Sequence, residues 1–397
     1  MREIAVVLFI IFASVLLLLF GVSTLSISYY EADIFYNESN AVHYLVKLSC
    51  ALFGQNDYAL RVPFILLHAL SAFLLYLIGK SLLKREIDRV ISVLIYVMLP
   101  GAISAALLVN SAGIIIFGTL LTLFYHQREQ KTLLYLTLFL TLFLNVGFVI
   151  LYFLLFFYAI SKKDPTLMSI SLVLFALASY MYGGDIAQMS EGKPRGYFID
   201  TFGIYAAIFS PLLFLYFIYV EYRILVKGGK SLLWWLSFGA FIASLLLSFR
   251  QRVPVEVFAL YLIIATPLVV GVFFNSYRVR LPKHRKLHKF LATVVILSLA
   301  FNSVLVYANQ TLYPFFKKPS NHFAYNYHIA KELAKILHKR GITEVQIYDE
   351  KLALRLKFYG INESDEYALI SSLGGDIAIR YANKKVANFE VFKKNLN

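Results

Sequence analysis

Residues 132–161 have the sequence TLLYLTLFLTLFLNVGFVILYFLLFFYAIS, without a single charged side chain. One helix of this length would extend over roughly 45 Å, well beyond the ~30 Å hydrocarbon core of a bilayer. Asn145 and Gly147 interrupt the run, and Lys131 and Lys162 flank it. Because basic flanks favour the cytoplasmic side, both ends are expected there. The stretch therefore predicts a hairpin of two short membrane helices whose turn is shielded by packing.

The composition of the whole chain agrees with that prediction. Of its 397 residues, 59% are hydrophobic and 15% are charged, against about 45–50% and about 25% in soluble domains. Too few polar residues exist to cover the surface of a soluble protein of this size, so soluble, collagenous and disordered classes are excluded. A single cysteine, Cys50, excludes an intrachain disulfide framework and metal sites with two thiolates. The chain is predicted to be a mainly α, polytopic membrane protein.

Apolar runs of near-membrane length predict about eleven crossings. The run over 90–125 is divided at Pro100 and at Asn110. The first run follows only Arg2 and lacks a clear small-residue cleavage site, so we interpret it as a retained span rather than a signal peptide. The predicted spans are 4–25, 62–79, 90–107, 109–125, 132–146, 147–161, 166–183, 202–221, 231–249, 254–274 and 290–308.

The net charge of +15 is distributed as an orientation signal. With a cytoplasmic N-terminus, the short cytoplasmic segments contain 18 of the 38 Lys and Arg residues, the outer loops contain six, and the tail after Pro314 contains 14. This asymmetry follows the positive-inside rule. The densest cluster, over 278–289, is interpreted as an anchor to anionic lipid rather than a nucleic-acid site.

An odd number of crossings places the tail outside, where its composition becomes that of a small soluble domain. We divide the chain into a membrane domain, 1–310, whose outer loop covers 26–61, and an extracytoplasmic α/β cap, 311–397. In the outer loop, the apolar spacing over 38–53 predicts a helix on the membrane surface, and a buried loop helix is the alternative. The cap is predicted to contain helices at 322–340, ended by Gly341, and at 351–359, with strands at 344–348, 367–371, 376–381 and 389–392.

Known phosphate-binding and hydrolase motifs are absent from the sequence: there is no Walker A loop, dinucleotide fingerprint, nucleophile elbow or zinc-protease helix. The predicted spans also lack Asp, Glu, Lys and Arg near the bilayer midplane. Ion-coupled transporters and proton pumps usually carry such groups there. Function is therefore expected at the outer face.

The tightest acid cluster on that face contains Glu31 and Asp33, shortly after the first span. A carboxylate at this depth can act as a general base toward a hydroxyl or amine, or bind a divalent cation. If the reaction uses a metal, these two carboxylates are its expected ligands. Solvated loop acids without a catalytic role are the alternative.

The basic counterpart is Arg250 with Arg252, at the outer end of a span. Guanidinium groups suit bidentate phosphate binding, and snorkelling anchors are the alternative. The long loop over 183–201 adds Lys193 and Arg195 and could close over a site.

After the predicted surface helix, residues 52–63 have the sequence LFGQNDYALRVP, and residues 248–267 have the sequence SFRQRVPVEVFALYLIIATP. With the acids of the first outer loop and the C-terminal α/β domain, these phrases resemble, in the same order, the GT-C membrane glycosyltransferases of the protein-mannosyltransferase and aminoarabinose-transferase type. The resemblance covers most of the chain. It implies an extracytoplasmic hexosyl or pentosyl transferase that uses a polyprenyl-phosphate-linked sugar and a lipid, glycan or protein acceptor.

By position, the resemblance implies a catalytic base at Asp33 or Glu31. It implies donor-phosphate ligands at Arg250 and Arg252, supplemented by Lys193 and Arg195, with Arg61 and Glu256 as structural or site-adjacent residues. The adjacent Asp-Glu pair of the family is Glu-Ala-Asp in this sequence, and the acid often found in the second outer loop is absent. We expect an integral protein of the plasma (inner) membrane, in contact with membrane lipid and not with nucleic acid. A non-catalytic partner of the same fold, a lipid flippase or transporter, and an unrelated membrane scaffold are the alternatives.

Overall fold

The computed structural model describes residues 2–189, 196–372 and 374–393. The chain forms two compact units. The first, the helical unit, comprises Met1–Val15, Leu66–Ala106 and Ser111–Ser303; the second, the mixed unit, comprises Leu16–Ile65, Leu107–Asn110 and Val304–Asn397. The mixed unit thus contains both the first outer loop and the C-terminal residues, which the predicted domain division separates. The predicted domain boundary at residue 310 stays a prediction.

Every predicted apolar span contains a helix. From the N-terminus to the end of the last span, the helices are α1 Arg2–Ser23, α2 Tyr29–Tyr36, α3 Ala41–Phe53, α4 Asp57–Leu82, α5 Glu86–Met98, α6 Pro100–Leu107, α7 Ala112–Gln127, α8 Lys131–Thr141, α9 Phe148–Lys162, α10 Pro165–Met181, α11 Gly183–Met189, α12 Phe198–Phe209, α13 Pro211–Lys227, α14 Leu232–Ser248, α15 Val255–Ile263, α16 Thr266–Val279 and α17 Pro282–Tyr307. The predicted surface helix corresponds to α3.

Three of these helices, α1, α4 and α17, are long and apolar enough to cross a membrane without interruption. Three bent pairs pass the same test together: α5 with α6 at 58°, α12 with α13 at 106°, and α15 with α16 at 47°. The predicted single span at 202–221 is thus two helices with a sharp bend. Pro211 lacks an N–H for a continuous helix, and Ser210 before it has a φ of +83°. The number of crossings stays a prediction.

In the helical unit, the hairpin predicted from residues 132–161 breaks where expected, between Thr141 at the end of α8 and Phe148 at the start of α9. Its turn is covered by side chains. The Tyr261 hydroxyl donates to the Gly147 carbonyl oxygen at 2.8 Å. A Cβ atom at Gly147 would lie 2.5 Å from the end of the Ile115 side chain, so a larger residue at this position would require that side chain to shift.

The C-terminal part of the mixed unit contains a four-stranded sheet and two helices. Its strands are β1 Gln346–Ile347, β2 Tyr367–Ser371, β3 Ile377–Tyr381 and β4 Lys384–Lys393, in the order β1-β2-β4-β3, with β1 and β2 parallel and the other pairs antiparallel. Helices α18, Ala330–Lys339, and α19, Glu350–Phe358, contribute Leu333 and Leu356 to the core, both fully buried. Each such leucine contributes about 1.5–3 kcal/mol to folding.

The predicted helix at 322–340 is shorter in the structure. It begins only at Ala330, and short 3-10 turns at Asn309–Phe315, Pro319–Asn321 and Tyr325–Tyr327 precede it. The imidazole of His322 bonds to the Asn309 carbonyl oxygen at 2.9 Å, which holds this segment in turns instead. At the other end, Gly341 has a φ of +73°, the left-handed conformation predicted for the helix terminator.

Candidate functional site

The first candidate region, in the mixed unit, is the helix α2 that contains both predicted catalytic acids. Ser28 accepts a hydrogen bond from the Glu31 backbone N–H at 3.2 Å, and the Glu31 carboxylate accepts one from the Ser28 backbone N–H at 2.9 Å. This reciprocal pair is a capping box, which begins a helix by bonding two otherwise free N–H groups. The acid cluster therefore lies on a helix rather than in an irregular loop.

The Glu31 carboxylate is almost completely buried, with 1% of the residue exposed. Besides the Ser28 N–H, its Oε2 lies 3.0 Å from Arg61 Nη2. Its Oε1 accepts a hydrogen bond from the Val109 backbone N–H at 2.9 Å. The Arg61 guanidinium thus neutralises this carboxylate, and the three N–H donors together orient it, as a buried charge requires.

Arg61 is the centre of this network and is fully buried. Its guanidinium also donates to the backbone oxygens of Leu107 at 2.8 Å and Ser26 at 3.0 Å. On its other side, Nη1 lies 3.5 Å from Asp57 Oδ1. Arg61 therefore joins the segment after α1, the start of α4 and the end of α6 within the mixed unit.

Asp57 extends the network to the C-terminal helices. Its Oδ2 lies 2.9 Å from Lys331 Nζ, and its Oδ1 accepts a hydrogen bond from the Tyr359 hydroxyl at 2.6 Å. Burial and the adjacent Asp57 carboxylate raise the pKa of Tyr359 above its usual range. The phenol therefore stays protonated and donates to Asp57 at neutral pH.

Asp33 has a different environment on the same helix. Its side chain is partly exposed, and its Oδ1 accepts one hydrogen bond, from Asn37 Nδ2 one turn later at 2.6 Å. The buried face of α2 is formed instead by Glu31, Ala32 and Phe35. Asp33 thus retains acceptor capacity toward solvent, whereas Glu31 does not.

The predicted divalent-cation site does not fit this arrangement. Both oxygens of Glu31 already accept N–H donors. Throughout the described parts of the chain, no group of three or more His, Cys, Asp or Glu side chains is placed to hold a metal ion. Protein sites for such cations usually require several oxygen ligands. We therefore derive no step through a cation at Glu31 and Asp33.

Sequence reasoning missed two features of this region. The S-x-x-E pattern of Ser28 to Glu31 is a capping-box signature, and it would have predicted both helix α2 and the engagement of Glu31. Asp57 was not among the predicted site residues. Its i, i+4 spacing to Arg61 on a helix was the available signal, whereas its contacts with Lys331 and Tyr359 depend on the tertiary fold.

The second candidate region, in the helical unit, contains Arg250 and Arg252 immediately after α14. Both side chains are exposed. The segment is tied at its start, because the Tyr197 N–H donates to the Ser248 carbonyl oxygen at 2.7 Å and Phe198 stacks on Phe249. Cations just beyond a helix C-terminus are also favoured by the helix dipole.

An apolar groove of about 510 Å³ begins beside these arginines. Its walls come from α9, α14 and α15 and include Ile150, Leu246 and Val257. Gln251, which lies between the two arginines in sequence, also lines the groove and is the only polar side chain among its described lining residues. The structure thus places a lipid-like groove next to a doubly cationic segment.

The structure defines fewer contacts for the remaining predicted site residues. Glu256 is exposed in the first turn of α15, where a negative charge is favoured by the helix dipole. Lys193 and Arg195 lie outside the described residues.

Comparisons with known proteins agree with the predicted resemblance. Residues 38–183 match the family model described as dolichyl-phosphate-mannose-protein mannosyltransferase. Among solved structures, the fold is similar to the crystal structure of ArnT from Cupriavidus metallidurans bound to undecaprenyl phosphate, with a TM-score of 0.51, 11% sequence identity and coverage of 97% of each chain. A search of curated proteins gave no match. The predicted membrane fold with a small C-terminal α/β region is therefore confirmed, and the chain is an integral membrane protein.

Proposed function

We propose that this protein is an integral membrane glycosyltransferase that transfers a sugar from a polyprenyl-phosphate-linked donor to an acceptor outside the cytoplasm. The observation that carries the proposal is the apolar groove beside Arg250 and Arg252. The partial match to the mannosyltransferase family and the fold shared with a protein crystallised with undecaprenyl phosphate support it.

The donor lipid suits the groove because its two chemical parts need two different surroundings. An isoprenoid chain gains free energy from burial among apolar side chains such as those of Ile150 and Val257. A phosphate is bound best by guanidinium groups, which pair with its oxygens in bidentate geometry. Arg250 and Arg252 are the proposed phosphate ligands, and Lys193 and Arg195 are proposed to add positive charge.

Asp33, rather than Glu31, is the proposed general base. A base needs a free oxygen lone pair and access to the acceptor proton. Asp33 is partly exposed and accepts one hydrogen bond from a described residue, whereas Glu31 is buried and accepts three. Glu31 and Arg61 are instead proposed to stabilise the conformation of the outer loop, and Glu256 is proposed to be site-adjacent.

The proposed reaction is a single displacement. The acceptor O–H or N–H loses its proton to Asp33, the acceptor heteroatom bonds to the anomeric carbon, and the bond from that carbon to the phosphate oxygen breaks. The electron pair leaves with the polyprenyl phosphate, whose added negative charge Arg250 and Arg252 stabilise. Such electrostatic stabilisation is usually the largest catalytic contribution.

The transferred sugar is proposed to be a hexose or a pentose, and the acceptor a lipid, glycan or protein. We also propose that the N-terminus is cytoplasmic, that residues 1–310 form a membrane domain and residues 311–397 an extracytoplasmic α/β domain, and that the protein is in the plasma (inner) membrane. The charge asymmetry of the short loops supports this orientation.

Transfer of labelled sugar by the purified protein tests the proposal directly. A panel of polyprenyl-phosphate sugars is incubated with the wild type, Asp33→Asn, Arg250→Ala and a control, Glu363→Gln, whose acid is exposed in the mixed unit. We expect transfer by the wild type and the control and loss in the other two. If the protein neither binds nor transfers sugar from any donor, the proposal is overturned, and a non-catalytic partner of the same fold is favoured.

A further inference from the structure

The mixed unit contains a cavity of about 420 Å³ that the proposed chemistry does not use. It is formed by the first turn of α2, the residues before α18, the ends of β1 and β2, and the first half of α19. Neither Asp33 nor Glu31 lines it. What this cavity binds is therefore not determined by the proposed base or by the proposed phosphate ligands.

Aromatic side chains form much of the wall. Tyr29 and Tyr30 come from α2, Tyr325 precedes α18, and Tyr348 follows β1. Tyr30 and Tyr348 are exposed over 69% and 66% of their surface, respectively. A tyrosine ring presents an apolar face and a hydroxyl at its tip, so it can contact the C–H face of a sugar ring and hydrogen-bond its hydroxyls.

A buried cation lies in the same wall. Arg355 is 9% exposed, and its Nε and Nη2 donate to the backbone oxygens of Ile27 at 3.0 Å and His328 at 3.3 Å. No acid in the described ranges lies within 4.0 Å of its guanidinium as an ion-pair partner. The Glu31 and Asp349 carboxylates act on this guanidinium only from beyond ion-pair distance, and an anionic ligand would supply the direct partner that a buried charge favours.

A second cation and a residue with a strained backbone in the cavity wall also indicate a ligand site. Lys351 also lines the cavity, and its Nζ lies 5.5 Å from the centre of the Tyr29 ring. Ile329, another lining residue, has a φ of +57°, which a β-branched side chain rarely adopts. Backbone strain of this kind is found preferentially at ligand sites.

We propose that this cavity binds a carboxylate-bearing saccharide. The carboxylate lies against Arg355 and Lys351, the sugar rings contact the tyrosines, and Asp349 accepts hydrogen bonds from sugar hydroxyls. This assignment rests on the proposed function in one respect only, namely that the saccharide is part of the acceptor. The binding itself does not require transfer.

The test is calorimetric titration of the purified full-length protein with trigalacturonic acid and with its neutral counterpart, galactotriose. We expect binding of the acidic trisaccharide at least tenfold tighter than that of the neutral one. The variants Tyr348→Ala and Lys351→Ala change exposed side chains and should each weaken binding of the acid about five- to tenfold. Lys357→Ala is the matched control, since it removes an exposed lysine of the same helix outside the cavity.

Arg355→Gln should abolish the preference for the acid, but this arginine also holds Ile27 and His328, so the two surface variants decide the outcome. Equal binding of the two trisaccharides, absence of binding, or acid binding unaffected by Lys351→Ala would each overturn the inference. Binding of undecaprenyl phosphate by the same preparation separates the two proposals. A protein that binds the lipid phosphate and neither trisaccharide refutes this inference alone, whereas the reverse result refutes the donor assignment.

Discussion

Glu31 Oε2 lies 3.0 Å from Arg61 Nη2, and both side chains are buried. A buried ion pair contributes little net free energy compared with an apolar pair, yet removal of one partner leaves the other charge buried and unpaired. The relationship therefore supports a structural role for Glu31, whereas Asp33, two residues further on in α2, is the proposed base.

We predict that Glu31→Ala destabilises the protein by about 3–5 kcal/mol, because it removes the 3.0 Å ion pair and leaves the buried Arg61 guanidinium only its longer, 3.5 Å contact with Asp57. The double variant Glu31→Gln, Arg61→Met should recover part of that loss, since no buried charge is then unpaired. Thermal unfolding in detergent measures both. A melting temperature of Glu31→Ala equal to that of the wild type would contradict the structural role.

Asp33→Asn should have little effect on stability and a large effect on catalysis. Its carboxylate is partly exposed, so we expect a change in stability of roughly 0.5 kcal/mol or less. As the proposed base, its loss should lower kcat by about 10²- to 10⁴-fold. Transfer assays on folded Asp33→Asn protein check this, with Glu363→Gln as the control. Full activity of Asp33→Asn would exclude Asp33 as the base.

Arg250→Ala and Arg252→Ala should each weaken binding of polyprenyl phosphate. A lost charge-assisted hydrogen bond corresponds to about 1.5–3 kcal/mol, or roughly a 10- to 100-fold change in Kd. Lysine at either position should restore only part of the affinity, because it cannot bind phosphate bidentately. Lys227→Ala, an exposed lysine at the end of α13, is the control. Unchanged Kd in both arginine variants would leave them as membrane anchors.

The groove itself is tested by filling it. Ala243 lines it from α14, so Ala243→Trp should lower affinity for a long polyprenyl phosphate at least tenfold. A phosphate with one or two isoprene units should bind almost as before, because it reaches the arginines without the full groove. Ala176→Trp places the same ring at an exposed position of α10 outside the groove. An equal loss of affinity for the long and the short phosphate in Ala243→Trp would indicate general misfolding.

The membrane helices could be predicted closely from the sequence because apolar runs are local. The predicted span at 147–161, for example, corresponds to α9 at Phe148–Lys162. The bend between α12 and α13 was less accessible, although Pro211 marks its position. A proline inside an apolar run can end, kink or begin a helix, and tertiary packing decides which.

The candidate site was predictable only in part. The residue types and the order of Glu31, Asp33 and Arg250 were available from sequence, but the burial of Glu31 was not. Its partners Arg61 and Val109 lie 30 and 78 residues away along the chain. No local pattern encodes these two contacts, so the capping-box signature indicates a hydrogen-bonded Glu31 but not a buried one.

The last prediction concerns pH and His328, which is 1% exposed in the mixed unit. One ring nitrogen lies 2.6 Å from the Tyr313 hydroxyl and the other 2.9 Å from Asn309 Oδ1. The neutral imidazole satisfies both bonds, with one nitrogen donating and one accepting. Burial, with the adjacent His322 and Arg355, lowers the pKa of His328 to about 3. Tyr381 also faces the ring.

Because the unfolded state binds this proton near pH 6.5 and the folded state only near pH 3, stability falls as the pH drops between these values. At pH 5 the loss from this group is about 2 kcal/mol relative to pH 7.5. His328→Gln should therefore show a smaller drop in melting temperature between pH 7.5 and pH 5 than the wild type, whatever its stability at pH 7.5. His338→Gln, at an exposed position of α18, should keep the full drop. An identical drop in wild type and His328→Gln would mean that another group carries the acid sensitivity.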